Sequence, residues 1–461
     1  MRARESKRGE VTAFLALIFV LLAAFAGSMM ESASLQSAKS YRRTDMNRAV
    51  ESVFAEYQRD LLEEFEIFAL DGGYESGSYS EEHVLDRLSY YGASGMEQEI
   101  LRIQFLTDGN GQAFLEQAAR FMESRYGLGS LNHLLGSMNR WEEQEEAAGR
   151  LQQTEESLSQ ELSGMLTENQ AELPEEDNPL PNIRQLAATP LTELAMPKEK
   201  KISEKAVEES GMVSHRSLRT GRGDFSDVAD KPELSGIAFG EYVLTHFSSA
   251  ADAGNSGGSE ALDYEVEYIL EGKSSDRENL EAVLKRLAVL RFVPNYTYLQ
   301  GDAAKRAEAK ALALTLCTVA ALPAAAEALT QVLLLAWAFG ESVMDLRSLM
   351  KGYGVPFTKT AENWQLSLSG LMNLGSKDGG QEGADIEGGM KYKEYLRALL
   401  FVNSRKNMPL RVLDMIELCL QREKGLSWFR ADDCISRIEL QSEVSLRRGI
   451  TYRFPTYYGY E

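Results

Sequence analysis

The stretch Val11-Thr12-Ala13-Phe14-Leu15-Ala16-Leu17-Ile18-Phe19-Val20-Leu21-Leu22-Ala23-Ala24-Phe25-Ala26-Gly27-Ser28-Met29-Met30 runs for 20 residues without a charge. As a helix rising ~1.5 Å per residue it spans the ~30 Å hydrocarbon core of a bilayer. Before it stand Arg2, Arg4, Lys7 and Arg8, opposed by Glu5 alone. Basic residues abutting an apolar span favour the cytoplasmic side. The sequence therefore predicts a cytoplasmic basic tail over 1–10 and one transmembrane helix over 11–30, in contact with the lipid bilayer. The bulk of the chain is then extracytoplasmic. Lys39, Arg42, Arg43 and Arg48 follow on the far side, but the first of them lies nine positions beyond Met30. A cleaved signal peptide competes, because Ala24-Phe25-Ala26 has the small-x-small pattern that would place a cut between Ala26 and Gly27. The apolar run continues through Met29 and Met30, which favours an uncleaved, single-pass anchor in the cell membrane.

Beyond the span, Ala49, Val53, Tyr57, Leu61, Phe65 and Phe68 recur every three or four residues, with Arg48, Glu51, Arg59, Glu63 and Glu66 on the other faces. That is the period of an amphipathic helix. No proline occurs before Pro174, so one helix is predicted from about Val11 to about Phe68, ended by Asp71-Gly72-Gly73. Residues 80–138 read as short helices between glycine turns. A longer helix is predicted over 139–172, where Leu151, Leu158 and Met165 lie seven apart with Leu162 between, a spacing that resembles a short coiled-coil seam. Its other faces are acidic and solvated, with 12 carboxylates against Arg150 between Glu142 and Asp177. Residues 31–173 thus form a helical region continuing the anchor helix. Six of the 11 prolines fall between Pro174 and Pro232, where large apolar residues are sparse, and 174–232 reads as a flexible linker.

Residues 233–461 read as a C-terminal extracytoplasmic domain. Leu280, Val283, Leu287 and Leu290 share one face of a helix over 276–299. The Ala- and Leu-rich stretch Ala303 to Ala338 is broken by Pro323 and carries Glu327, both unfavourable in a second span, so two buried helices are predicted instead. The fold class expected is mainly α: a long N-terminal transmembrane helix continuing outside the membrane, a helical middle region and an α-rich α+β C-terminal domain.

Composition narrows the function. The chain has 461 residues, 44% apolar and 26% charged, an ordinary globular balance. Its net charge of -21 repels phosphate backbones and argues against nucleic-acid binding. The three cysteines, Cys317, Cys419 and Cys434, form no metal spacing; Cys317 reads as a buried small apolar residue, and pairing of Cys419 with Cys434 stays open.

Motifs for catalysis fail on context. Gly254-Asn255-Ser256-Gly257-Gly258 matches a nucleophile elbow but lacks the preceding apolar strand, and reads as a loop. His83, His133, His215 and His246 are too scattered to announce a metal site. Asp108-Gly109-Asn110-Gly111 starts like a calcium loop without the acidic twelfth position, and the glycine-rich acidic stretch from Asp378 to Glu387 reads as a loop. Arg222-Gly223-Asp224 is too short to carry weight, and Glu341 with Asp345 is one of many carboxylate pairs expected among 70 acidic residues. No catalytic residue, cofactor or metal ligand is assigned.

The run Lys7-Arg8-Gly9-Glu10-Val11-Thr12-Ala13-Phe14-Leu15, the apolar span and Glu31-Ser32-Ala33 together resemble the TadE/TadG-like pseudopilin-type membrane proteins of tight-adherence (Tad/Flp) pilus loci. The similarity is nearer to a Gram-positive branch known as a domain of unknown function. Leu262 to Lys273, Asn279-Leu280, Trp337 to Leu346 and Lys391 to Leu399 resemble blocks of that branch. The resemblance implies a role in assembling a pilus or a related secretion apparatus, with other pilin-like or pilus-assembly proteins as partners. It also implies a possible processing site between Gly9 and Glu10. Pilin-type substrates carry a glutamate five residues into the mature chain, where this chain has Phe14, so an uncleaved minor component fits better than a major subunit. The function expected is protein binding at the envelope, without catalysis. The alternative is a cell-surface binding module for a ligand or wall polymer with no pilus role.

Overall fold

The computed structural model describes residues 5–225, 235–252, 261–374, 381–403 and 407–460. It is 62% helix and 9% strand, mainly α as the sequence predicts. The chain divides into two compact units that interleave in sequence: unit 1 holds 1–109, 218–230 and 427–461, and unit 2 holds 110–217 and 231–426. This differs from the expected division at 173 and 232, because both ends of the chain build one unit.

Unit 1 begins with helix α1 (Glu5–Phe54), which runs without a break through the apolar stretch. Its last turns bury Met46, Ala49, Val50, Val53 and Phe54, a spacing that keeps one stripe inward over two turns. The predicted helix to Phe68 stops 14 residues early: the chain turns at Ala55–Gln58, and a short α2 (Arg59–Phe65) follows. The apolar face persists across the break, since Leu61 and Phe65 are buried as well. Two contacts hold the turn. The Gln58 amide donates to the Ala69 carbonyl (2.8 Å), and the Tyr460 hydroxyl donates to the Phe54 carbonyl (2.5 Å), one of the orphan acceptors at the end of α1.

The sheet of unit 1 comprises β1 (Leu70–Asp71), β2 (Glu97–Phe105), β3 (Cys434–Ser445) and β4 (Thr451–Gly459), with α3 (Glu81–Leu88) between the first two. Strand β3 is central and antiparallel to all three partners. Its Ile438 faces Ile103 of β2 and Tyr458 of β4, and its Leu440 faces Ile100 and Thr456. These apolar residues and the buried stripe of α1 make one core. The strand content expected toward the C-terminus is present as β3 and β4, which complete the sheet of unit 1. Strand β2 interrupts the helix-and-turn pattern expected over 80–138, which helices at 81–88 and 108–126 otherwise follow. The register slips between Ile100 and Arg102 and again between Gln104 and Phe105. Its buried residues therefore fall at 100, 103 and 105, which mimics helical spacing.

Unit 2 is helical: α4 (Asp108–Tyr126), α5 (Leu128–Glu168), α6 (Leu180–Ala188), α7 (Leu191–Ala195), α8 (Ser235–His246), α9 (Glu265–Glu271), α10 (Asp276–Gly301), α11 (Ala303–Val319), α12 (Ala326–Met350), α13 (Tyr392–Asn403) and α14 (Met408–Arg422). Ser275 caps α10 by accepting from the Glu278 amide, and Asp302 caps α11 by accepting from Ala304 and Lys305. Pro323 separates α11 from α12, and both bury apolar faces as predicted; Cys317 is one of the buried residues. The apolar seam on α5 packs within its own unit. Leu162 is buried, and the Trp141 ring meets Phe357 at 4.9 Å and Tyr395 at 5.3 Å.

Over its described part, 174–225, the expected linker is folded. Asn182 donates to the Leu371 carbonyl (2.5 Å), the Leu191 and Thr192 amides donate to Glu281, and Ser214 donates to Asp414. Arg216 forms a two-bonded pair with Glu417 at 2.6 and 2.8 Å. Proline there shapes helix starts at α6 and α7, not a free tether. Residues 226–232 lie outside the described residues.

Candidate functional site

Helix α1 has two halves of opposite character. In its most apolar stretch no residue is buried. Phe14, Leu17, Phe19, Leu21 and Phe25 are each about 60% exposed or more, and Met30 is 76% exposed. Eleven such large side chains lie between Val11 and Met30. Burying each is worth roughly 1.5–3 kcal/mol, on the order of 20 kcal/mol together, which exceeds the ~5–15 kcal/mol stability of a typical fold. The helix satisfies its own backbone, as a lipid environment requires. It is long and apolar enough to cross a membrane, whether as an anchor or as a signal sequence. Of the described helices, the stretch Pro323–Met350 passes the same test, but 56% of its apolar window is buried, so it is a core helix.

Past Met30 the sheet closes on α1. Arg448, in the β3–β4 connection, pairs with Glu31. The Lys39 ammonium sits 5.0 Å from the Tyr452 ring centre, and the Arg43 guanidinium 5.7 Å from that of Phe454. Gly9, Glu10, Ala26 and Gly27, the two candidate cleavage positions, all lie in uninterrupted helix, exposed. A Cβ on Gly9 or Gly27 would meet nothing within 4 Å, so packing does not require glycine at either position.

Unit 2 brings together charges that the sequence left unpaired. Glu341 and Asp345 sit one turn apart on α12, and Lys359 Nζ donates to both, at 2.6 and 2.7 Å. Arg291 Nε and Asn295 Nδ2 donate to the second oxygen of Asp345, at 3.0 and 3.2 Å. The Gln365 and Leu366 amides donate to Glu341. All five side chains are fully buried or nearly so. Burial pushes the Glu341 carboxyl up to about 6, and the adjacent Lys359 charge opposes that rise. Two cations balance two carboxylates, so the cluster is neutral. No substrate reaches groups this enclosed, and the arrangement reads as a structural clamp on α10, α12 and the 359–366 segment. Lys359 and Arg291 carried no local sequence signal, lying 14 and 54 residues from Asp345.

Glu267 is a second buried carboxyl. It accepts from the Ala250 amide (3.0 Å) and the Tyr392 hydroxyl (2.8 Å), and burial pushes it up to about 7.

A largely apolar cavity of about 340 Å³ lies among α5, α6, α10 and α12, lined by Leu162, Ile183, Phe292, Leu335 and Phe339, with Arg184 at its edge. Ser159 and Arg184 are its polar lining residues, and its lining holds no nucleophile–base pair.

The remaining motifs resolve as structure. Arg222 pairs with Glu81 and donates to the Ile100 carbonyl, and Arg102 donates to the Asp224 carbonyl, so the Arg222-Gly223-Asp224 tripeptide is tied to β2. Asp108 accepts from the Phe105 and Gly221 amides at the start of α4, so its segment opens a helix where a turn was expected. His215 meets Ser214, His246 meets the Tyr242 carbonyl, and His83 packs on Tyr74. Among the described residues no group of His, Cys, Asp or Glu has metal-binding geometry, and Cys419 and Cys434 are not paired in a disulfide; their thiols meet Glu423 and the Arg430 carbonyl. The Gly254–Gly258 stretch and residues 378–380 lie outside the described residues.

No curated protein and no solved structure gives a significant match to the chain. One family does: residues 169–446, more than half of the sequence, match a family of unknown function, DUF5702. The match covers most of unit 2 and extends through β3, and by it the chain belongs to the DUF5702 family.

Proposed function

We propose that this is a single-pass envelope protein that assists assembly of a Tad/Flp-type pilus or a related secretion apparatus, acting by protein binding. The observation that carries the reading is α1 itself. One unbroken helix leaves 11–30 bare and apolar, then buries Met46–Phe54 in a sheet-backed core. A helix built this way holds its domain at a fixed distance and orientation from a bilayer. The same bare half can later exchange lipid for neighbouring apolar helices, the step by which pilin-like subunits enter a fibre. The continuity of the helix through Ala26 and Gly27 favours an uncleaved anchor, and the basic residues ahead of it favour a cytoplasmic N-terminus. Deleting the gene should reduce surface fibres, and the full chain should restore them. Normal fibres and adhesion in the deletion strain would remove the pilus role.

The cavity among α5, α6, α10 and α12 favours a second reading, a surface module that binds a ligand or wall polymer. Retention of purified wall polymers by the full chain, with no capture of pilus subunits, would select it.

A further inference from the structure

We propose that the cleft between α1 and the β3–β4 connection binds the phosphate of an anionic lipid headgroup. The inference rests on the reading of α1 as a membrane anchor. The cleft measures about 400 Å³ and is lined from α1 by Ser34, Ser37, Tyr41 and Arg42, and from the hairpin by Ser445 and Arg447, with apolar residues between.

Position comes first. If Val11–Met30 fills the ~30 Å hydrocarbon core, the headgroup layer occupies the next ~5–7 Å. Glu31, which pairs with Arg448, begins that layer. Ser34 and Ser37 follow at roughly 6 and 10 Å beyond Met30, at ~1.5 Å per residue. The hairpin tip therefore meets α1 at headgroup depth. Arg42 starts roughly 18 Å beyond Met30 at ~1.5 Å per residue, above that layer, and its side chain leans toward the N-terminus, back in the direction of the headgroups.

Chemistry agrees with position. Arg448 is matched by Glu31 and Arg453 by Glu443. Arg42 and Arg447 make no ion pair and no side-chain hydrogen bond among the described residues, and no carboxylate lines the cleft. In a chain of net charge -21, two unmatched arginines facing one cleft are unusual company. Guanidinium groups hold phosphate oxygens through paired N–H donors, and the three serine hydroxyls supply further donors. Tyr41 is 72% exposed beside them, and Ile450 is exposed at the hairpin tip. An aromatic ring with a polar end suits the membrane interface. An apolar tip beside basic residues is the composition of a segment that rests on an anionic leaflet.

The test uses the full chain in vesicles of phosphatidylcholine with or without phosphatidylglycerol. After detergent extraction, native mass spectrometry counts the lipids retained. Wild type should keep phosphatidylglycerol in preference to phosphatidylcholine, and R42Q/R447Q should keep at least fivefold less. Inorganic phosphate at millimolar concentration should not displace the lipid; displacement would reassign the site to free phosphate. Equal phosphatidylglycerol retention by the double variant, or no headgroup preference in wild type, overturns the proposal. Alkaline carbonate extraction of the same vesicles tests the anchor separately. If both proteins stay membrane-embedded while the variant keeps its lipid, only the cleft proposal falls; if wild type is released, the anchor reading falls with it.

Discussion

Replacing Lys359 with methionine should destabilise unit 2 in a pH-dependent way. The ammonium is fully buried and bonds Glu341, Asp345 and the Asn363 carbonyl at 2.6, 2.7 and 3.3 Å. Methionine fills similar volume, so packing is largely kept. What remains is two buried carboxylates with Arg291 as their one cation. Breaking a buried pair by removing one partner costs about 3–5 kcal/mol, because an uncompensated charge stays behind. Glu341 decides the pH dependence. Burial already lifts it to about 6 against an unfolded value of 4.5, so the folded chain binds that proton more tightly than the unfolded chain does. Its ionisation therefore costs stability as pH rises from about 4.5 through 6, and loss of Lys359 extends that window upward. K359M should lose about 3–5 kcal/mol at pH 8 and less than about half of that at pH 5, where Glu341 takes up a proton. Urea unfolding of the detergent-solubilised full chain, read by tryptophan fluorescence, measures both. Trp364 lies beside Lys359 with Trp337 packed against it, so two of the four tryptophans report on this core. A loss under about 1 kcal/mol at pH 8, or equal losses at both pH values, would refute the idea that charge balance holds this core.

The same assay should show E267Q stabilising the chain by up to about 3 kcal/mol at pH 8 with no effect at pH 4. Glu267 titrates near 7 when folded and near 4.5 when unfolded, so the wild type alone loses stability across that interval. Y460F removes the hydroxyl that meets the Phe54 carbonyl and should cost about 1 kcal/mol, seen as a lower melting temperature. In G340A the added Cβ would stand 2.5 Å from Leu371 Cδ2 and 2.7 Å from Leu366 Cδ2; a loss of about 1–3 kcal/mol is expected, and an unchanged urea midpoint would show that both leucines move aside freely. L21R puts a charge at the centre of the apolar run, a change of roughly 3–4 kcal/mol against insertion, and should shift protein out of the carbonate-resistant membrane fraction.

Much of the helical order was legible because it is local. The uncharged run Val11–Met30 and the stripe Ala49, Val53, Leu61 and Phe65 announce themselves by composition and period, and the last four are indeed buried. The stop at Phe54 was not legible, because the stripe continues past it and the turn is held by Ala69 and Tyr460, the latter some 400 residues away. Strand β2 was hidden by its register slips. The segment 174–225 looked like a linker because its stabilising partners, Glu281, Leu371, Asp414 and Glu417, lie about 90–200 residues downstream. The same holds for the buried charges: Glu341 and Asp345 are visible as a helical pair, yet nothing in the neighbourhood of Lys359 says that it will sit between them.

The central strand of unit 1 is made late, with β4 alone after it. About 330 residues separate Phe105, where β2 ends, from Cys434, where β3 starts. At roughly 5–20 residues per second of synthesis, the stripe Met46–Phe54, which ends 380 residues before Cys434, waits about 20–75 s for the strand that covers it. Throughout that time the growing chain displays an unfinished apolar surface. Meanwhile the intervening helical unit is nearly complete and can fold on its own schedule. Any chain cut short before Cys434 never closes its first unit, which makes residues 434–461 a natural checkpoint for quality control.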